Sequence, residues 1–237
     1  MDDKLKDVVK LRRTVGETKK YVVLMRVIGL LAIVLTVVVA IVYAASYFYN
    51  QFGSFTVKVN KYDMVNQGLS LSETPDFDHT ISVLNADIVY DMTNISGHDL
   101  PDNIDMVNGS HNGKNYIAYT FYLINAGDDT LSYEEELTIE NVTKGVDEAV
   151  RIAVFRDGVK TVYGKTKSSG TGIESDCDSE FATASIVLRE ITEEFAPRAK
   201  HKYTVVIWLE GNDPDCVNDI IGGTIKFRYD FRITETT

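Results

Sequence analysis

The feature that most constrains this chain is a run of twenty consecutive uncharged residues, 27–46, with the sequence VIGLLAIVLTVVVAIVYAAS. At about 1.5 Å of rise per residue, a helix of this length spans about 30 Å, which is the thickness of the hydrocarbon core of a bilayer. The length of the run and its lack of charge therefore predict a transmembrane helix over residues 27–48.

The charges on either side of this run predict its orientation. Residues 1–26 hold eight of the 24 basic residues but four of the 35 acidic ones, so residues 27–237 hold the other 16 basic and 31 acidic residues. Because basic flanks stay on the cytoplasmic side, residues 1–26 are predicted to be a basic cytoplasmic tail at the plasma membrane. Residues 49–237 are predicted to be an acidic extracytoplasmic domain. The lipid bilayer is the first expected partner, and the acidic balance argues against nucleic acid.

The apolar run has two interpretations, a retained signal-anchor or a cleaved signal peptide. Ala44 and Ala45 offer the small residues that signal peptidase prefers, which makes this position the candidate cleavage site. The run is longer than the usual apolar core of a signal peptide, and the segment before it is long as well, so retention is favoured. Cleavage would instead release the outer domain as a secreted subunit.

Residues 53–237 show the pattern of short β-strands. β-Branched and aromatic residues alternate with polar ones in several runs, and turn-forming residues separate these runs. The fold class is therefore predicted to be mainly β, an antiparallel β-sandwich of jelly-roll or immunoglobulin-like kind. A small barrel and a sandwich with a helix inserted near 145–150 are the alternatives. Strands are predicted at 55–59, 116–125, 131–142, 149–163 (a hairpin that turns at Asp157-Gly158), 183–189, 202–210 and 223–233, and residues 62–112 are predicted to be a long loop region with one or two short strands.

The two cysteines, Cys177 and Cys216, are a candidate disulfide because an extracytoplasmic compartment permits oxidation. The alternative is two separate thiols. Both cysteines stand among acidic residues, and carboxylate oxygens are the ligands that Ca²⁺ requires. A disulfide would bring the two acidic segments together, which makes calcium the one candidate cofactor. Its candidate ligands are Asp176, Asp178, Asp213 and Asp215.

No catalytic residue is identified from the sequence, and the protein is predicted not to be an enzyme. The four histidines are scattered, without a HExxH motif or a pair spaced for zinc. The chain also lacks the GxSxG, Walker and GxGxxG motifs. A metal-dependent envelope hydrolase that uses the acidic segments around the cysteines is kept as an alternative function.

Several segments of the outer domain resemble an uncharacterised family of single-pass membrane proteins of Firmicutes. The resemblance lies in GLSLSETPDF (68–77), LPDNID (100–105), GSHNGKNYIAYTFYLINAG (109–127), VDEAVRIAVFRDG (146–158), KTVYGK (160–165) and YTVVIWLEGNDPDCVNDIIGGTIKF (203–227). It implies a membrane-anchored architecture and no particular activity. A looser similarity, based on YTFYLINAG and FAPRAKHKYTVVIW, is to secreted β-sandwich proteins of the TasA/camelysin kind, which build biofilm fibres. The metalloprotease activity attached to camelysin lacks a zinc motif in this chain.

These observations predict a membrane-anchored cell-surface protein with a structural or binding role in the envelope. Its expected partners are other envelope proteins or a second copy of itself, and a secreted subunit of an extracellular fibre is the main alternative. The expected mechanism is β-augmentation, in which an exposed edge strand recruits a strand of the partner. Phe55, Val57 and Val59, on the first strand after the membrane segment, are the candidate strand-addition residues.

Overall fold

The computed structural model describes residues 3–51, 55–170 and 172–234, and within the first of these ranges the side chains of residues 20–44. The chain forms two compact units, Met1–Asn50 and Gln51–Thr237. The first contains one helix, α1 (Asp3–Gln51), which extends beyond the predicted helix at both ends. Its segment Lys20–Ala44 is wholly exposed, and it is long and apolar enough to cross a membrane.

The second unit is a sandwich of two β-sheets, as the alternating pattern predicted. Sheet A has five strands and sheet B has seven, so the barrel alternative is wrong. The region near 145–150 forms a single 3-10 turn, Val146–Glu148, instead of the alternative inserted helix. The predicted hairpin turn is present, with Asp157 and Gly158 both at positive φ (50° and 84°), as a tight turn between twisted strands requires.

Sheet A brings together strands from both ends of the domain. The first strand pairs in parallel with the last one, so the sheet is mixed and not purely antiparallel as predicted. In spatial order the strands are β10 (Ile186–Phe195), β6 (Leu131–Val142), β12 (Ile225–Thr234), β1 (Phe55–Val59) and β3 (Val83–Asn85).

Sheet B is built around three long strands that are apolar on both faces. A parallel pair also occurs here, between its last two strands. In spatial order the strands are β2 (Leu69–Ser72), β5 (Tyr116–Asn125), β11 (Lys200–Leu209), β7 (Val150–Arg156), β8 (Val159–Gly164) and β9 (Ser179–Glu180), and β4 (Gly109–Ser110) also pairs with β5.

The core between the sheets is rich in aromatic rings. Phe121 stacks on Tyr203 across β5 and β11, with ring centroids 5.3 Å apart. Tyr229 and Phe231 of β12 meet these rings from sheet A. Such pairs stabilise a fold beyond the apolar area that they bury, so the aromatic contacts join the two sheets directly.

The region 62–112 is ordered and partly covers the outer face of sheet B. It contains the short helix α2 (Lys61–Gln67), strands β2, β3 and β4, and two 3-10 turns, which is more regular structure than predicted. Ile95, Leu100 and Ile104 from this region pack with Trp208 of β11 in a second apolar cluster. Residues 86–115 are called the covering loop below.

Candidate functional site

The predicted strand-addition residues lie inside sheet A, and the prediction that they form a free edge is wrong. β1 is hydrogen-bonded to β12 on one side and to β3 on the other. Phe55 and Val57 are fully buried, and Val59 is 4% exposed. The reason is tertiary, because β12 arrives from the opposite end of the domain and covers the edge that β1 would otherwise present.

The long open edge of the sandwich is β10. Among the described residues its one partner in the ladder is β6. The start of β10 is covered, since the amides of Ala182 and Thr183 donate to the carbonyl oxygens of Val187 and Ile186. In the described part of the chain, the segment 188–193 has no such cover and no second neighbouring strand.

The other edge strands of the two sheets are short or covered. β3 has three residues and β9 has two. β2 has four residues, and its Leu71 exchanges backbone hydrogen bonds with Ile81. Because the gain from adding a strand grows with the number of ladder hydrogen bonds, β10 is the best candidate edge in the described structure.

The side chains along β10 form an acidic edge with one exposed apolar residue. Ile191 is 60% exposed and lies opposite Glu134 of β6. Glu190, Glu193 and Glu194 are exposed, and within the described residues none of their carboxylates lies within 4 Å of a basic side chain. Glu194 has a φ of 56° and lies at an irregularity in the pairing with β6, so the regular part of the edge ends before it.

The outer face of sheet A next to this edge carries a lattice of ion pairs. Arg189 of β10 pairs with Glu134 and Glu136 of β6, and Arg228 of β12 pairs with Glu140 of β6 and Asp230. These side chains are partly exposed, so each pair contributes at most about 1 kcal/mol to stability. The lattice neutralises Arg189, which leaves the acidic residues of β10 as the unbalanced charge of the edge.

A buried polar cluster joins the two sheets behind β10. Glu135 of β6 is 2% exposed; it accepts a hydrogen bond from the Tyr229 hydroxyl at 2.7 Å and from Nη1 of Arg156 at 3.2 Å. Nη2 of Arg156 donates to the hydroxyls of Tyr133 (3.2 Å) and Thr192 (2.6 Å). The cluster therefore links β6, β10 and β12 of sheet A to β7 of sheet B.

The protonation of this cluster reflects its burial. Burial raises the pKa of the Glu135 carboxyl above its ordinary value, and the Tyr229 hydroxyl and Arg156 offset part of that increase. Burial also raises the pKa of Tyr133 to about 12, so this phenol is neutral near pH 7. Because the groups satisfy one another, the arrangement can hold the sheets together and fix the position of β10.

A second charged cluster lies on the outer face of sheet B, around Arg151 of β7. Arg151 is 1% exposed; its Nε lies 2.9 Å from Asp176 Oδ2, and its Nη2 lies 2.5 Å from Asp213 Oδ2. Burial by itself lowers the pKa of Arg151, but the hydrogen bonds to the two carboxylates outweigh it and raise the pKa. One buried arginine therefore ties together two loops that are distant in sequence.

This cluster is where the structure places both cysteines and the predicted calcium ligands. Cys177 follows Asp176 directly and packs against the apolar cluster under the covering loop. The amide of Cys216 donates to the carbonyl oxygen of Asp213 at 3.0 Å, and its Sγ accepts a hydrogen bond from Asn94 at 3.3 Å. Burial raises the pKa of the Cys177 thiol to about 12. Both cysteines are free thiols in the structure, so the disulfide stays a prediction.

Three of the four predicted calcium ligands, Asp176, Asp178 and Asp213, have carboxylates that are engaged with protein groups. Asp176 and Asp213 bind the guanidinium of Arg151. Asp178 accepts a hydrogen bond from the amide of Val162 at 2.8 Å, and Asp215 donates its own amide to Asp213 at 2.7 Å. In residues 3–51, 55–170 and 172–234, no group of three or more His, Cys, Asp or Glu is arranged to hold a metal ion. The two acidic segments meet on Arg151, whereas the sequence tied their meeting to a disulfide.

Trp208 and Glu210 attach the covering loop to sheet B. The indole Nε1 of Trp208 donates to Glu210 Oε2 at 3.0 Å, and the amide of Gly97 donates to the same oxygen at 2.8 Å. Trp208 is 2% exposed, so it is a core residue. His111 also holds the loop, since its two ring nitrogens lie 2.8 Å and 2.7 Å from the carbonyl oxygens of Gly109 and Ile104.

Sequence reasoning missed the buried charged residues, although the pattern contained a signal for each. Glu135 has the same parity as Tyr133 and Leu137 in β6, so its side chain points to the core with theirs. Arg151 lies in VRIAVFR, a strand that is apolar on both faces. A charged residue at either kind of position requires a buried partner of opposite charge.

Comparisons with known proteins found matches among solved structures alone. No protein-family model matches it, and no curated protein sequence matches it. The solved structures that align with it include a β-glucosidase from Kluyveromyces marxianus in complex with glucose, with 12% identity and a TM-score of 0.28 over 78% of this chain and 18% of that one. A selenomethionine-labelled form of that enzyme aligns with 12% identity and a TM-score of 0.27 over 79% and 19%. The chain thus spans about a fifth of these enzymes. No conclusion about fold or activity follows from likenesses at this level.

Proposed function

We propose that this protein is a single-pass, membrane-anchored cell-surface protein whose β-sandwich binds other envelope components and has no catalytic role. Support for the anchor comes from the apolar segment Lys20–Ala44, which is long enough to cross a membrane and whose side chains are exposed in the described structure. The basic residues before it favour a cytoplasmic N-terminus and an extracytoplasmic sandwich. The resemblance to single-pass membrane proteins of Firmicutes agrees with this arrangement.

The observation that carries the binding role is the open edge of sheet A. β10 has ten residues, of which 188–193 have a neighbour on one side in the described structure, and strand addition at such an edge is a common mode of peptide recognition. The buried cluster of Glu135 and Arg156 holds this strand through Thr192. A strand that is held in place before binding loses less conformational entropy when a partner adds to it.

Support for a non-catalytic role comes from the state of the buried polar groups. Within residues 55–170 and 172–234, each buried side-chain nitrogen or oxygen has a hydrogen-bond partner in the protein. Glu135 and Arg151, which are 2% and 1% exposed, both bind oppositely charged side chains. Their arrangement is the one expected of structural ion pairs.

The anchored form is tested by sequencing the N-terminus of the protein from membrane and medium fractions. An intact N-terminus in the membrane fraction, together with digestion of the sandwich by protease added to whole cells, is the expected result. A new N-terminus at Ala45 in the medium would instead support the secreted fibre subunit, which is the second candidate function.

The binding role of β10 is tested by site-specific photocrosslinking in intact cells. A benzophenone amino acid at Ile191 is expected to cross-link to a defined envelope protein. The matched control is the same amino acid at Val159, an exposed apolar residue of sheet B that is 71% exposed. Equal cross-linking patterns at the two positions would count against a binding role for this edge.

A further inference from the structure

We propose that the edge formed by β10 binds an extended, cationic segment of a partner protein, in which basic and apolar residues alternate. This inference rests on the proposed function, because it names the class of partner for the same edge. Three features of the edge carry it: its backbone, its apolar side chain and its charge.

The backbone determines the conformation of the partner. The outer hydrogen-bonding groups of residues 188–193 lack a neighbouring strand in the described structure, and a β-strand is the conformation that satisfies them in order. The cover over Ile186 and Val187 limits the site at one end, and the positive φ of Glu194 limits it at the other. The partner segment is therefore expected to be about six residues long.

The side chains determine the composition of the partner. Glu190 and Glu193 carry carboxylates without a basic neighbour within 4 Å in the described structure, and Glu194 adds a third. Ile191 exposes 60% of its surface on the outer face of sheet A. Opposite charges on neighbouring strands stabilise their pairing, and side chains alternate between faces along a strand. Glu190 lies on the face of Glu135 and Ile191 on the face of Glu134, so a partner strand with lysine or arginine beside Glu190 and an apolar residue beside Ile191 meets both conditions. Glu193 and Glu194, at the irregular end of β10, add negative charge without a fixed place in this alternation.

The same charges argue against a second copy of the chain as the partner. Residues 27–237 hold 31 acidic residues against 16 basic ones, so two copies of the sandwich repel each other. Acidic side chains and an irregular strand end are also the features by which edge strands avoid pairing with themselves. A cationic strand is attracted by the acidic side chains of β10, so it pairs with this edge without charge repulsion.

The test uses the full chain in nanodiscs of zwitterionic lipid and fluorescent peptides of defined sequence. The first peptide has eight residues of alternating lysine and valine, and the second replaces each lysine by glutamate. The third is the lysine peptide with N-methyl groups on two adjacent central residues, which prevents a continuous ladder on either edge. Fluorescence anisotropy is expected to show binding of the first peptide alone. Equal binding of the N-methylated peptide would overturn the proposal, since attraction by charge without strand pairing would explain it.

Variants locate the site on the sandwich. Glu190→Gln, Glu193→Gln and Glu194→Gln together are expected to weaken binding of the lysine peptide about tenfold, the effect of losing three exposed charge pairs. The control combines three substitutions at exposed acidic residues elsewhere, Asp91→Asn, Asp102→Asn and Asp219→Asn, which change the net charge equally. Equal weakening by both sets would overturn the proposal, because the peptide would then be responding to net charge.

A third arm tests self-association and separates this inference from the proposed function. Cross-links between two copies at Ile191, with no binding of the lysine peptide, would overturn the cationic partner while leaving a binding role for the edge. Recovery of the protein in the medium with Ala45 at its N-terminus would remove the anchor but would leave the peptide result unchanged. The two failures are therefore distinguishable.

Discussion

The outer faces of the two sheets differ more than any other pair of regions in this protein. The outer face of sheet B lies under the covering loop and contains a buried Trp208 and a buried Arg151. The outer face of sheet A carries partly exposed ion pairs, such as those of Arg228 with Glu140 and Asp230. The same chemical group, an arginine beside two carboxylates, is therefore buried on sheet B and partly exposed on sheet A.

The difference shows that a covered face requires apolar residues on both sides of its strands. In sheet B, β5, β7 and β11 carry apolar residues on both faces, so burial of both faces is favourable. In sheet A, β6 and β12 alternate apolar with charged residues, so one face stays in contact with water. The proposed binding edge, β10, lies on the sheet whose outer face is open.

The largest expected effect is a difference in lost stability between replacing Arg151 on sheet B and replacing Arg228 on sheet A. Arg151→Met leaves the buried carboxylate of Asp213 without its cation and is expected to lower the free energy of unfolding by about 3–5 kcal/mol. Arg228→Met, the matched change on sheet A, is expected to cost less than about 1 kcal/mol. Urea unfolding of the full chain in detergent measures both, and equal losses would contradict the contrast between the faces.

The predicted disulfide would strengthen the covered face alone, since both cysteines belong to its Arg151 cluster. Oxidised protein is expected to be about 2–4 kcal/mol more stable than reduced protein, and Cys216→Ser is expected to abolish the difference. Mass spectrometry of protein purified without reductant identifies the bond through a linked pair of peptides. Two alkylatable thiols in protein from whole cells would show that the bond does not form.

The apolar contacts of the covering loop give the next effect. Ile104 is 6% exposed, and Ile104→Ala is expected to cost about 2 kcal/mol and to speed hydrogen exchange in the loop. Ile191→Ala on the exposed edge of sheet A is the control, and it is expected to change stability by less than about 0.5 kcal/mol. Exchange that stays unchanged in the loop of the Ile104 variant would show that other contacts hold it.

The smallest effect concerns Glu135, which lies between the two sheets. Because burial raises its pKa in the folded state, the folded protein binds more protons than the unfolded one between the ordinary pKa of 4.5 and the raised value. Stability is therefore expected to fall as the pH rises through that interval, and Glu135→Gln is expected to remove this fall. At neutral pH, Glu135→Gln is expected to change the free energy of unfolding by about 1 kcal/mol, the size of one exchanged hydrogen bond. Thermal unfolding as a function of pH measures it, with Glu136→Gln on the outer face as control; an unchanged pH profile for Glu135→Gln would assign the fall to another group.

Local sequence patterns predicted the main strands well. The runs 116–125 and 131–142 coincide with β5 and β6, and the turn at Asp157-Gly158 forms as expected. Residues 183–189 predicted the start of β10 but not its continuation to Phe195, because Glu193 and Glu194 interrupt the alternation that marks a strand. The same two residues make that strand an acidic edge.

The candidate site was predicted less well than the fold. The sequence indicated strand addition but assigned it to β1, because a strand that follows an anchor has few local neighbours. In the structure β1 is an inner strand of sheet A, and β10 lies at the edge of that sheet. The sequence tied a meeting of the acidic segments to a disulfide between the cysteines. In the structure Asp176 and Asp213 meet on Arg151, which the sequence did not identify as the group between them.

The sequence by itself determined the long apolar helix, the β class of the outer unit and the strands whose faces alternate. Each of these depends on the spacing of residues within one short segment, so the information is local. Only the tertiary structure decided that β1 lies beside β12, that β10 stays open and that one arginine neutralises two loops. These arrangements join segments far apart in the chain, and they form because packing two sheets against each other selects one strand order from many that satisfy the same local patterns.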